Sequence, residues 1–275
     1  MSANLLLEKI SACREKLRAH LGKIPDFGVI AGTGLKHLID DLTIAGRVSY
    51  ADIGFPVSTV SSHAGELVWG RLGDREVFVL NGRFHLYEGF TPQEIATPIR
   101  ALAQEGMRHL VITNAAGGLD NHYHPGEVLL IRDHINATGR SPLTGAHDPS
   151  WGERFPDMSQ VWDKTAAAIV EKTAAAEGIT LHQGTYICVP GPQLETPAET
   201  RIYKNTGARA IGMSTVMEAI AAVQAGVRLA GLSAITNIND PDDMAATSLD
   251  AIVDAADLAA PALRKFITAL AEQWH

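Results

Sequence analysis

The chain has 275 residues, 46% of them apolar and 20% charged, an ordinary globular balance near the upper size for one hydrophobic core. Its 31 acidic against 23 basic side chains leave a formal net charge of −8, which removes any general electrostatic reason to bind nucleic acid or an anionic membrane surface. Two cysteines, Cys13 and Cys188, provide neither a disulfide framework nor a metal cluster and fit a reducing compartment.

Near the amino terminus three leucines run into Glu8-Lys9, too short an apolar stretch for a secretory signal. No run reaches the length that spans a bilayer, so a soluble, cytoplasmic protein is expected. Leu6, Ile10, Cys13, Leu17 and Leu21 recur at helical steps and predict an amphipathic helix that ends at Gly22 and Pro25. Short apolar runs then predict strands over 27–31, 67–72 and 77–80, followed by a helix over 92–104. Strands over 110–113 and 128–131, a helix over 159–177, a strand over 185–189 and a helix over 197–204 come next. A strand over 209–212, a helix over 216–225, a strand over 229–236 and a helix over 248–273 complete the chain. This alternation predicts one α/β domain over 1–275, with a central mixed, largely parallel sheet flanked by helices.

Six of these strands end in small or hydrogen-bonding residues: Gly32-Thr33-Gly34, Asn81-Gly82-Arg83, Asn114-Ala115-Ala116-Gly117-Gly118, Pro190-Gly191-Pro192, Met213-Ser214 and Thr236-Asn237. Ligands of α/β sheets bind beyond the carboxyl ends of strands, where backbone donors and helix amino termini converge. The Gly32-Thr33-Gly34 turn suits either an anion cradle or a plain tight turn; its spacing matches neither the dinucleotide fingerprint nor the Walker loop. Within Arg83-Phe84-His85-Leu86-Tyr87-Glu88, an extended chain would set Arg83, His85 and Tyr87 on one face, as for an anion beside a hydroxylated group or as for a solvated edge strand. His63 in its loop is a second candidate donor or simply exposed. Ser214 sits where a helix N-cap belongs, and a hydroxyl there can also meet phosphate. Glu195 can accept from ring N–H groups, and the Asn237 amide can both donate and accept, which together suits the edge of a 6-oxopurine. Metal-ligand spacing is lacking around His122-Tyr123-His124, and no Gly-x-Ser-x-Gly elbow is present.

Taken together, Gly82 to Gly89, Thr113 to Leu119, Arg132 to Asn136, Gly191 to Thr196, Gly212 to Val216 and Ile235 to Asn237 resemble the purine nucleoside phosphorylase family, in its trimeric branch that includes the methylthioadenosine phosphorylases. The resemblance covers nearly the whole chain. It implies a nucleoside phosphorylase-like fold and reversible phosphorolysis, in which orthophosphate is a co-substrate and no cofactor or metal is needed. By similarity, Thr33, His63, Arg83, His85, the Ala115 backbone and Ser214 hold phosphate. Tyr87, Met213 and Leu249 line the pentose, while Leu194, Glu195 and Asn237 meet the purine, with Phe155 lent by the neighbouring subunit of a homotrimer. Asn237, His85 and Glu195 are the implied catalytic residues. Asn at 237 points to inosine and guanosine, and so to purine salvage.

The chain also departs from the inosine/guanosine branch. Thr33 replaces the usual serine, Leu194 stands where an aromatic often stacks on the base, and Leu249 aligns with a histidine that reaches the ribose 5′-hydroxyl. Leucine cannot accept that hydrogen bond, so an alternative substrate class is 5′-methylthio or 5′-deoxy purine nucleosides. A non-catalytic nucleoside-binding protein is a further alternative, which the joint presence of the phosphate residues disfavours.

Overall fold

The computed structural model describes residues 3–32, 36–59, 64–145 and 147–275. Nine strands form one sheet: β1 (Phe27–Ala31), β2 (Thr43–Ser49), β3 (Glu66–Leu72), β4 (Arg75–Asn81), β5 (His109–Gly118), β6 (Val128–Asn136), β7 (Leu181–Cys188), β8 (Ala208–Gly212) and β9 (Arg228–Ile238). Their order is β2-β3-β4-β1-β5-β8-β7-β6-β9, and β9 also pairs with β5, so the last five strands close into a ring. Five of the pairings are parallel and four antiparallel, a more evenly mixed sheet than the expected largely parallel one.

The helices are α1 (Ala3–Leu21), α2 (Tyr50–Ile53), α3 (Pro92–Gln104), α4 (Lys164–Glu177), α5 (Pro197–Asn205), α6 (Val216–Gln224) and α7 (Leu249–Gln273). One core packs Leu6, Ile10, Cys13 and Leu17 of α1 with Ile95 and Ile99 of α3 and Val216 and Ala219 of α6. The second core packs Ala166 and Val170 of α4 with Leu263, Phe266 and Ile267 of α7. Helix starts follow from local chemistry. Thr91 and Thr196 accept from the backbone N–H of Glu94 and Glu199, whose carboxylates reach back to the cap, and Pro92 and Pro197 open α3 and α5.

Several expected elements shift. β2 has no expected counterpart because it is an edge strand with mostly exposed residues, so it carries no apolar alternation. Gly46 belongs there because a Cβ would lie 2.2 Å from the Trp69 ring. β5 does not stop at Thr113 but runs to Gly118, pairing with β9 throughout and with β8 at its end. The helix expected from 159 starts at Lys164, since Trp162 bridges to Leu229 and Asp163 caps the helix through the Ala166 N–H. Among the described residues no helix is long and apolar enough to cross a membrane.

Candidate active site

A cavity of about 430 Å³ opens beyond the carboxyl ends of β4, β7, β8 and β9 and along the last residues of β5. It is lined by Arg83, His85, Tyr87, Ala115, Leu194, Glu195, Met213, Ser214, Asn237 and Leu249, so ten of the thirteen residues singled out from the sequence share one space. Thr33 and His63 lie outside the described residues. Phe155 is not among the lining residues and is 89% exposed on the chain itself.

Arg83 is held by its surroundings rather than by solvent. It is 3% exposed; its Nε donates to Glu218 Oε1 at 3.2 Å, and its Nη1 donates to Thr113 O at 2.6 Å and Ser214 Oγ at 3.1 Å. Among the described residues its Nη2 has no partner although it is buried. A guanidinium nitrogen left open inside a cavity wall is a ready donor for an anion, because burying it unpaired is otherwise unfavourable.

The segment after β4 is not extended, so its side chains do not meet by strand alternation. Glycine at 82 turns the chain (φ 119°), and Leu86–Glu88 forms a short 3-10 helix with His85 at its cap. The turn stacks the His85 and Tyr87 rings, centroids 4.6 Å apart, and keeps both on the cavity wall. Glu88 accepts from the His85 N–H and pairs with its Nδ1, each at 2.9 Å. Burial pushes the Glu88 carboxyl up, but hydrogen bonds from His85, Ser58 and Thr59 outweigh this and hold it at about 2. An ionised carboxylate only accepts, so Nδ1 carries the proton toward Glu88 and Nε2 is the nitrogen left on the other side of the ring. Burial also pushes the Tyr87 hydroxyl up to about 12, so Tyr87 stays a neutral hydrogen-bonding group.

Ser214 is not the cap of α6. That place belongs to Thr215, the one non-glycine residue with positive φ among those described (φ 77°, ψ −47°). Its neighbours form a three-residue turn, closed by the Val216 N–H donating to Ser214 O at 2.8 Å. Such a conformation is strained, and here it is fixed by Asn114 Nδ2 donating to Thr215 Oγ1 at 2.8 Å. The result leaves the Ser214 hydroxyl beside Arg83 and on the cavity wall.

The small residues of β5 answer to neighbouring side chains. A Cβ on Gly117 would come within 3.1 Å of Asn239 Nδ2 and 3.3 Å of Asn237 Nδ2, so the glycine seats two amides. Asn237 Nδ2 donates to Asn239 Oδ1 at 2.6 Å, and Asn239 Nδ2 donates to Glu195 Oε2 at 2.9 Å. Burial raises the Glu195 carboxyl above its ordinary value; the hydrogen bonds from its own backbone and from Asn239 partly oppose this. Sequence reasoning missed Asn239. Its signal was its place two residues after Asn237 on extended chain, which puts both side chains on one face. Gly191 (φ 65°) makes room for Met213, whose Sδ would lie 2.3 Å from a Cβ there. The Arg132 to Asn136 motif lies elsewhere: His134 packs edge-on against Trp162, centroids 6.0 Å apart, and takes no part in the cavity.

The signature of the phosphorylase superfamily matches residues 26–272. Purine nucleoside phosphorylase 1 of Bacillus subtilis is 41% identical over 231 residues, covering 84% of this chain and 85% of its own. The chain belongs to the purine nucleoside phosphorylase family. The Bos taurus purine nucleoside phosphorylase is 40% identical over 262 residues, covering 92% and 91% of the two chains. Isoform 2 of the Schistosoma mansoni enzyme, solved with cytosine and ribose-1-phosphate, superposes with a TM-score of 0.92 at 32% identity, over 98% of this chain and 97% of that one. A Schistosoma purine nucleoside phosphorylase solved with hypoxanthine gives a TM-score of 0.91 at 30% identity over 100% of this chain and 99% of that one. The protein is accordingly a pentosyltransferase that acts on purine nucleosides, and its α/β fold is that of the family.

Proposed function

We propose that this phosphorylase cleaves 6-oxopurine nucleosides, inosine and guanosine or their deoxy forms, to free base and pentose 1-phosphate in purine salvage. The observation that carries this reading is the pairing of a neutral amide, Asn237, with a carboxylate, Glu195, in one cavity wall. A carboxylate accepts from ring N–H, while an amide can donate to O6 or N7. Breaking the glycosidic bond passes through an oxocarbenium-like state, and a nearby anion stabilises the positive sugar. In this proposal phosphate is both that anion and the nucleophile. It would lie against Arg83 Nη2, His85, Ser214 and the Ala115 backbone, with Thr33 and His63 completing its shell. Tyr87 and Met213 would meet the pentose, Leu194 the base, and the exposed Phe155 ring the active site of a neighbour in a homotrimer. As the purine departs, density grows at N7 and O6, and an Asn237 donor would strengthen with it. The reaction so written needs no metal or cofactor.

A second reading is favoured by Leu249 and Ile252, which give the cavity an apolar stretch of wall suited to a 5′-methylthio group. Base release from inosine, adenosine and 5′-methylthioinosine, each with and without phosphate, decides among these. Phosphate-dependent cleavage led by inosine is the expected result. Preference for adenosine would overturn the 6-oxopurine reading, and preference for the methylthio compound would make Leu249 the selectivity residue.

A further inference from the structure

Asn239 is 5% exposed and lies between the two residues proposed to read the base. Its backbone N–H donates to Gly118 O at 2.8 Å, which fixes where the side chain starts. From there a directed chain of hydrogen bonds runs through four side chains. Thr236 Oγ1 donates to Asn237 Oδ1 at 2.9 Å, Asn237 Nδ2 donates to Asn239 Oδ1 at 2.6 Å, and Asn239 Nδ2 donates to Glu195 Oε2 at 2.9 Å.

The direction follows from one member. An amide can be turned either way, but an ionised carboxylate has no proton to give. Asn239 must therefore turn its NH2 to Glu195 and its oxygen to Asn237. Asn237 must then offer NH2 to Asn239 and leave its oxygen to the Thr236 hydroxyl. One N–H of Asn237 is used by Asn239, and the second remains to donate into the cavity that Asn237 lines.

We propose that Asn239 is a positioning residue that couples Glu195 to Asn237, so that the ionised carboxylate dictates which way the Asn237 amide faces the purine. This rests on the proposed function for the identity of the base, but the coupling itself does not. The chain also makes the two readers one unit: whatever removes the charge of Glu195 removes the reason for the Asn237 amide to keep its orientation. Titratable neighbours of Glu195 are Glu199, which raises its carboxyl, and Tyr203, both on α5. Arg83, His85 and Tyr87 face it from the same cavity, whereas the facing residues of β5 and β9, Ala115 to Gly117 and Thr236 to Asn237, carry no titratable group.

The test compares Asn239→Ala and Asn239→Asp in the full chain. Asn239→Ala removes a hydrogen bond to a charged group and is expected to lower kcat/KM for inosine by roughly 10- to 100-fold, mainly in kcat. Asn239→Asp nearly keeps the volume, so a packing role predicts a mild, pH-independent defect. The coupling predicts otherwise. With one proton shared between the introduced carboxyl and Glu195, the acid hydroxyl donates as the amide did; once both are ionised the donor is gone and like charges face each other. Activity of Asn239→Asp relative to the parent therefore falls as pH rises through the second titration of the pair. A pH-independent defect in Asn239→Asp, or a parent-like rate for Asn239→Ala, overturns the proposal. A readout without substrate separates this from the functional reading: the 13C titration of the Glu195 carboxyl, which Asn239→Ala should move to higher pH. An unmoved midpoint overturns the coupling, whereas a parent protein that releases no base overturns the proposed function alone.

Discussion

Asn237→Ala deletes the donor that the proposed mechanism strengthens in the transition state. Turnover of inosine should fall on the order of 100- to 1000-fold with KM little changed, and parent-like turnover would discard the role. For phosphate, Ser214→Ala is a cleaner probe than any change at Arg83. Truncating Arg83 would strand the buried Glu218 carboxylate, its side chain 6% exposed, and destabilise the fold by about 3–5 kcal/mol. Ser214→Ala removes one hydroxyl near the anion and should raise the KM for phosphate by roughly 10- to 100-fold at similar stability; an unchanged phosphate KM would take Ser214 out of the site. Glu88 carries a pH signature. Its carboxyl is held at about 2, below its ordinary 4.5, so its contribution is complete above the ordinary value and is lost as pH falls from there through about 2. The urea midpoint should drop across that window, and Glu88→Gln should flatten the drop; a drop of equal size in the variant would assign it to other carboxylates. Glu195 works with the opposite sign, since its raised carboxyl favours the folded state more on the acid side. Arg83 and Asn237 were legible one by one in the sequence as polar residues at strand ends, and Glu195 as a carboxylate in the loop that leads into a helix cap. Asn239 and Glu88 were not, because their importance lies in which groups they touch.

The elements tell a similar story. α3 begins and ends as the sequence predicts, since apolar periodicity and terminal chemistry coincide there. The strand ends were also legible, and the cavity forms where they gather. What periodicity could not show was a strand without an apolar face, such as β2, or a chain bend whose residues still meet, as at 83–88. The Thr215 turn is likewise invisible beforehand, because nothing in a threonine announces positive φ. The α5 cap, Thr196, follows directly on Glu195 and therefore bears on the loop proposed to read the base. Thr196→Ala should cost about 1 kcal/mol in urea unfolding through the lost cap. If the loop depends on that cap, hypoxanthine affinity falls as well; full stability would show that the capping box adds nothing here.

At the scale of the whole molecule, two apolar cores grip the sheet from either side, and all the proposed chemistry lies at one end of it. The closed order β5-β8-β7-β6-β9 has a consequence for motion. An edge strand of an open sheet can peel away by breaking one ladder, but the ring has no edge, so each of its members is bonded on both sides and cannot leave until two ladders break together. Among the described residues β2, at the far end of the order, pairs only with β3. Amide hydrogen exchange should accordingly proceed first in β2 and last in β5 and β9, whose opening approaches global unfolding. The residues proposed to read the base thus stand on or beside a closed hoop of strands, and the cavity's remaining walls come from segments that hang from its rim, 190–195 after β7 and the first turn of α7.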